Sequence, residues 1–178
     1  LKARAEDTLG VELTHAAVTI PPGTEVRAHR YVVEAAGMDC TAVVDEPTAA
    51  NAVLGVRDGA VVDVGGGTTG IAVLRDGRVV STADEPTGGT HVSLVVAGAR
   101  RVPFEEAERL KTDPARQPEL FPLVRPVFEK VATIVADHLA GPHAGAAVER
   151  IWLVGGTAAF PGIAGVVEQV TGLPTVVP

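Results

Sequence analysis

The chain has 178 residues, a formal charge of −7 from 15 Lys+Arg against 22 Asp+Glu, and a single cysteine. That length supports one domain, or one and a fraction, with a core that needs neither disulfide nor structural metal. The acidic balance argues against a nucleic-acid partner, which asks for a basic face. Cys40 alone excludes an internal disulfide and a CxxC zinc site, and makes a reducing, cytoplasmic setting the default. No apolar run approaches the ~18 residues of a membrane span. Hydrophobic residues make up 46% but aromatics only 3%, so the core is aliphatic, which suits parallel strands covered by helices. The five histidines stand at no metal-ligand spacing. The chain opens Leu1-Lys2-Ala3 and its one methionine is Met38, so it reads as a fragment or as a protein whose N-terminal portion is absent.

In chain order, Leu1 to Leu9 reads as a helix stopped by Gly10. Ala16 to Ile20 is a strand ended by Pro21-Pro22. Thr24 caps a helix reaching Ala36, with Gly37 beyond it, and Tyr31 is expected to pack inward. Thr41 to Val44 is a strand, and Pro47 opens a helix through Leu54. Ala60 to Val64, almost wholly apolar, is expected at the centre of a sheet. Asp76-Gly77 is a two-residue hairpin signal between strands 70–74 and 78–82. Helices follow over 90–99, 104–111 and about 121–139, the last carried by apolar residues at helical spacing with Pro122 and Pro126 in its first turns. Ile151 to Val154 is a buried strand, Gly162 to Val170 a helix and Thr175 to Val177 a last strand. The fold class is α/β with a mixed sheet flanked by helices.

The stretch Asp63-Val64-Gly65-Gly66-Gly67-Thr68-Thr69-Gly70 is the most informative. Successive glycines at a strand end admit a ligand close to the backbone and expose N–H groups to an anion. Thr68 and Thr69 add hydroxyl donors. Asp63 beside a phosphate would repel it unless a cation lay between, which implies Mg²⁺ held by Asp63 through water. Gly65-x-Gly67-x-x-Gly70 matches the dinucleotide fingerprint, but a hairpin rather than a helix follows, so that reading is rejected. Gly-Lys-Ser/Thr does not occur, which removes a Walker loop. An unliganded glycine turn is the plain alternative. Gly155-Gly156 after the later strand is either a tight turn or a seat for adenosine. Gly88-Gly89 before the helix at Thr90 is either an ordinary cap or an anion site. Glu46 either favours the helix dipole or positions a metal-bound or attacking water.

Together these segments resemble the actin-like ATPase superfamily, which includes DnaK-type (Hsp70) chaperones and the filament protein MreB. Asp45 to Ala50 resembles its first connecting motif, Asp63 to Thr69 its second phosphate loop, and Val154-Gly155-Gly156-Thr157 with Phe160-Pro161 its adenosine motif. Ala107-Glu108-Arg109-Leu110-Lys111 resembles the helix whose Glu and Lys reach ribose and adenine. The runs Asp58 to Ile71, Ala83 to His91, Lys111 to Arg116 and Thr171 to Thr175 resemble the EutJ family of ethanolamine-utilisation proteins, described as chaperone-like and linked to bacterial microcompartments. The resemblance implies an RNase H-like lobe over 57–178 with a helical insertion at about 98–140, and the remainder of a first lobe over 1–56. It implies binding of ATP or ADP with Mg²⁺. Asp63 and Glu46 take catalytic roles, and Gly65, Gly66, Gly67, Thr68, Thr69, Gly88, Gly89, Glu108, Lys111, Gly155, Gly156 and Thr157 hold the nucleotide. Partners would be ethanolamine-utilisation enzymes or shell proteins. The chain departs from the superfamily in lacking the first phosphate loop, in having Gly70 where chaperones and MreB have aspartate, and in having Ala159 where an arginine stacks on adenine. Slow hydrolysis by the full-length protein, or a non-hydrolysing scaffold, is therefore expected.

Overall fold

The computed structural model describes residues 1–141 and 148–178; His143 lies outside them. The elements are α1 (Lys2–Leu9), β1 (His15–Ile20), α2 (Val26–Ala35), β2 (Asp39–Asp45), α3 (Glu46–Leu54), β3 (Gly59–Val64), β4 (Thr69–Arg75), β5 (Arg78–Glu85), α4 (Gly89–Arg100), α5 (Phe104–Thr112), α6 (Gln117–Ala140), β6 (Ile151–Val154), α7 (Ile163–Thr171) and β7 (Thr175–Val176).

β1 and β2 form a parallel pair, and the other strands form a sheet in the order β5-β4-β3-β6-β7. β3 runs antiparallel to β4 and parallel to β6. The apolar strand 60–64 is thus central, as its composition demands: Ala60, Val61, Val62 and Val64 are all fully buried. The hairpin turns at Asp76 (φ 51°) and Gly77 (φ 76°), the pair of positive φ values that matches right-handed strand twist.

One face of the sheet is covered by α4, α6 and α7. Val62, Ile71 and Leu153 meet Val92, Val96, Val124, Phe128, Val131, Val135, Ile163 and Val167 in one cluster. The segment expected as an insertion therefore supplies much of the core through α6. That helix starts at Gln117, a turn earlier than its apolar pattern predicts, with Pro118 in the first turn and Pro122 and Pro126 inside it. All three prolines are exposed, so the carbonyls left without a helical donor face water and the cost of each proline is reduced.

The opposite face carries a small cluster of Val56, Val61 and Leu74 with Ala50, Leu54 and Trp152. This is where α3 docks. Asn51 ties the docking down: its amide donates to Val56 O at 3.1 Å and accepts from Val56 N at 2.9 Å. Tyr31 is 71% exposed, contrary to expectation, because α2 buries only Val33 and turns its remaining apolar side chains outward. Cys40 is a free, buried thiol.

Candidate functional site

β3 and β6 are parallel neighbours, so their carboxyl ends lie side by side, the usual place for a ligand on an open α/β sheet. The triple-glycine turn leaves one strand and the Gly155-Gly156 turn leaves the other. They are bonded together: Thr157 donates through its N–H to Val64 O at 3.0 Å and through its hydroxyl to Gly65 O at 2.8 Å. Gly155 takes φ +91°, and a Cβ there would stand 2.2 Å from Asp63 Oδ1. Only glycine permits this approach.

A third glycine turn completes the cluster. Gly89 N–H donates to Gly65 O at 2.9 Å and Thr90 N–H to Gly66 O at 2.7 Å. A Cβ on Gly88 would meet Gly65 O at 2.7 Å and Gly66 O at 2.9 Å. The start of α4 thus braces the loop with the N–H groups for which the sequence left either an ordinary cap or an anion site open. Gly88 N–H is turned to His91 Nδ1 at 3.3 Å. Thr69 is likewise spent within the protein: it is fully buried, and its hydroxyl donates to Thr87 O at 2.6 Å. Gly66 and Gly67 are different. Both are exposed, and a Cβ on either would meet nothing within 4 Å, so the tip of the loop is open backbone.

Behind the tip lies a cavity of about 340 Å³ lined by Gly66, Lys111, Thr112, Gln117, Gly156, Thr157, Ala159 and Phe160. Phe160 connects it to the core, its ring centroid 5.2 Å from that of Phe128. Lys111 Nζ donates to Glu108 Oε1 at 2.8 Å and to Gly89 O at 3.2 Å. Ser93 also bonds to Glu108. Burial pushes the Glu108 carboxyl up, but the Lys111 and Ser93 hydrogen bonds and the Lys111 charge outweigh it and hold it below the ordinary value. Glu108 and Lys111 are therefore an anchored pair at the cavity wall. Gln117 Nε2 donates to Lys111 O at 3.0 Å.

On the other side of the loop three carboxylates gather. Burial, then the charges of Asp63 and Asp84, raise the pKa of Glu46. Burial raises that of Asp63. Burial, and lesser repulsion from Glu85, raise that of Asp84 against the lowering effect of a Thr68 hydrogen bond. Among the described residues none of the three is in an ion pair, and no group of three His, Cys, Asp or Glu residues is placed to hold a metal ion. The sequence reading missed Asp84. A regular hairpin from Asp76-Gly77 puts Ala83 opposite Gly70, but a register shift between Val73 and Leu74 puts Asp84 there instead. One residue of slip exchanges the two faces of a strand.

The fold and this cluster define the class. The family model of the cell division protein FtsA matches residues 60–177 and that of the Hsp70 protein residues 1–113, so the chain belongs to the actin-like ATPase superfamily that contains both. It is 46% identical over 164 residues to the ethanolamine utilization protein EutJ of Salmonella typhimurium, covering 92% of this chain and 57% of that protein. The crystal structure of EutJ from Carboxydothermus hydrogenoformans superposes with a TM-score of 0.89 at 48% identity, over 100% of this chain and 65% of that one. The PilM-PilN type IV pilus biogenesis complex shares the fold at a TM-score of 0.67 and 18% identity, over 80% of this chain and 44% of that one. The chain thus spans little more than half the length of the curated relatives it matches. Among the described residues no helix is long and apolar enough to cross a membrane.

Proposed function

We propose that the full-length protein binds ATP or ADP with Mg²⁺ in a cleft of which residues 57–178 form one lobe and residues 1–56 part of the other. The observation that supports this most is the bonded pair of glycine turns, Gly65–Gly67 and Gly155–Thr157, beside a cavity of about 340 Å³. Open N–H groups at Gly66 and Gly67 receive the phosphates. The cavity between Lys111, Gln117, Gly156 and Phe160 receives the nucleoside, with Glu108 fixing the Lys111 ammonium. Gly65, Gly88, Gly89, Thr69 and Thr157 serve by holding the loop in shape.

The residues present fit a magnesium ion. Asp63 and Glu46 are carboxylates without a cation partner, raised by burial, which is the state an added cation relieves. Bound there, Mg²⁺ would neutralise phosphate charge. Asp63 would hold its water shell. Glu46, at the first turn of α3, would orient the attacking water by accepting its hydrogen bond. Gly70 and Ala159 remove a carboxylate and a stacking side chain found in chaperones, so hydrolysis is slow.

By kinship with EutJ and the Hsp70 chaperones, the protein acts as a chaperone-like partner of ethanolamine-utilisation enzymes or microcompartment shell proteins in the bacterial cytoplasm. Nucleotide sets how its lobes close. A non-hydrolysing scaffold is the second reading, favoured by Ala159. The test is thermal melting of the full-length protein with Mg-ATP or Mg-ADP. Stabilisation of the protein by nucleotide supports the reading. A protein indifferent to nucleotide overturns it.

A further inference from the structure

Asp63, Gly70 and Asp84 stand in one row across three strands: Asp63 pairs with Gly70 on β4, and Gly70 with Asp84 on β5. Directly paired residues carry their side chains on the same face. The middle position is not vacant space. A Cβ on Gly70 would lie 3.3 Å from Pro22 Cδ and 3.3 Å from Pro47 Cδ. An aspartate at position 70 would have to displace two proline rings, one of them next to Glu46.

The row nevertheless keeps a second carboxylate, one strand further out. The Thr68 hydroxyl hydrogen-bonds it, which ties it to the end of the triple-glycine loop. Its Oδ1 is shut off from solvent and has no partner. A buried acceptor left unpaired costs about 1–3 kcal/mol, and no neighbouring donor among the described residues relieves that cost. The terminal torsion of aspartate is soft, so the carboxylate is free to turn toward a donor. A water held by a cation is the strong donor this oxygen lacks. The three carboxylates stay too dispersed to ligate a bare ion together, which suits Mg²⁺, an ion that keeps several waters.

We propose that Asp84 takes over the task of the carboxylate missing at position 70: it is a positioning residue that orders the water shell of the Mg²⁺ accompanying the nucleotide. This rests on the nucleotide reading above and adds to it a residue and a register that the superfamily resemblance does not supply.

The experiment is calorimetry of ADP binding to the full-length protein, in EDTA and then in MgCl₂, for the parent and for Asp84→Asn. In EDTA the isosteric variant binds ADP at least as tightly as the parent and melts at a higher temperature, because an unpaired buried carboxylate has been made neutral. With Mg²⁺ the parent tightens, and the variant loses about tenfold of that gain, the usual cost of removing an outer-shell partner. Asp84→Ser, smaller and uncharged, reports the same loss should the amide fail to pack. An undiminished Mg²⁺ gain in both variants overturns the assignment. A parent that binds ADP with no gain from Mg²⁺ overturns the role of Asp84 but leaves nucleotide binding standing. A parent that binds no ADP at all overturns both.

Discussion

Residues 1–56 and residues 57–178 are built from the same kinds of element, yet they are held together differently. In the larger region a five-stranded sheet is sealed by α4, α6 and α7, and side chains such as Phe128, Ile71 and Leu153 are wholly buried. In the smaller region two parallel strands carry α1 and α2 loosely. Tyr31, Val32, Val26 and Val11 are exposed, and Ile20, Val33, Cys40 and Val56 are among its buried apolar side chains. Parallel strands are ordinarily covered on both faces, and a two-stranded sheet is marginal by itself. What orders residues 1–56 is their seam with the larger region: α3 on β3 and β4, Pro22 and Pro47 over Gly70, and Asn51 clasping Val56. The same seam carries Glu46 to Asp63. These candidate carboxylates therefore lie where a sparsely packed region meets a densely packed one, which is where closing motions are drawn from.

The contrast is broken most directly by Phe128→Ala. This cavity at the centre of the large core should cost about 3–5 kcal/mol and lower the thermal midpoint of the whole chain. Amide exchange sharpens it: β3 and β4 should exchange through global opening, and β1 and β2 through a cheaper local one. Exchange of β1 at the rate of β3 would show that the two regions form one cooperative unit. Gly155→Ala should come next, at roughly 2–3 kcal/mol, because its Cβ collides with Asp63 Oδ1 and Val64 O. Its signature is loss of nucleotide binding along with the stability.

Acidity tests the seam. Glu46, Asp63 and Asp84 all have raised pKa values in the folded protein. Their contribution is most favourable below the unfolded carboxylate values of 3.8 and 4.5 and fades as pH rises through the folded ones. Glu6 is lowered by its hydrogen bond from Leu13, and Glu108 by Lys111 and Ser93 against burial. Those two act in the opposite sense, losing stability as pH falls through the folded values. Because Asp84 is one of these groups, Asp84→Asn should flatten the loss of stability as pH rises above its ordinary value of 3.8, as read by melting at a series of pH values. The smallest effect is expected from Arg116→Ala. It removes an exposed contact with Glu119 at 3.4 Å and should change stability by less than ~0.5 kcal/mol. A larger loss in denaturant titration would show that the start of α6 supports the cavity more than its exposure suggests.

Much of this protein is local in origin. The alternation of strands and helices follows from hydrophobic period, the hairpin from Asp76-Gly77, and the glycine turns from residues that alone tolerate such backbone approach. These depend on neighbours a few residues away, so the amino-acid sequence by itself determined the α/β class, the central strand 60–64 and the glycine turns of the candidate site. Tertiary structure decided what those parts do. It turned Thr69 and the N–H groups of Gly89 and Thr90 inward, drew α6 into the core and left Tyr31 outside. A register shift in β4 and β5 placed Asp84, not Ala83, beside Gly70. Pairing between strands and packing across the sheet sum contacts between residues far apart in the chain, and a single residue of slip there changes which side chain faces the cleft.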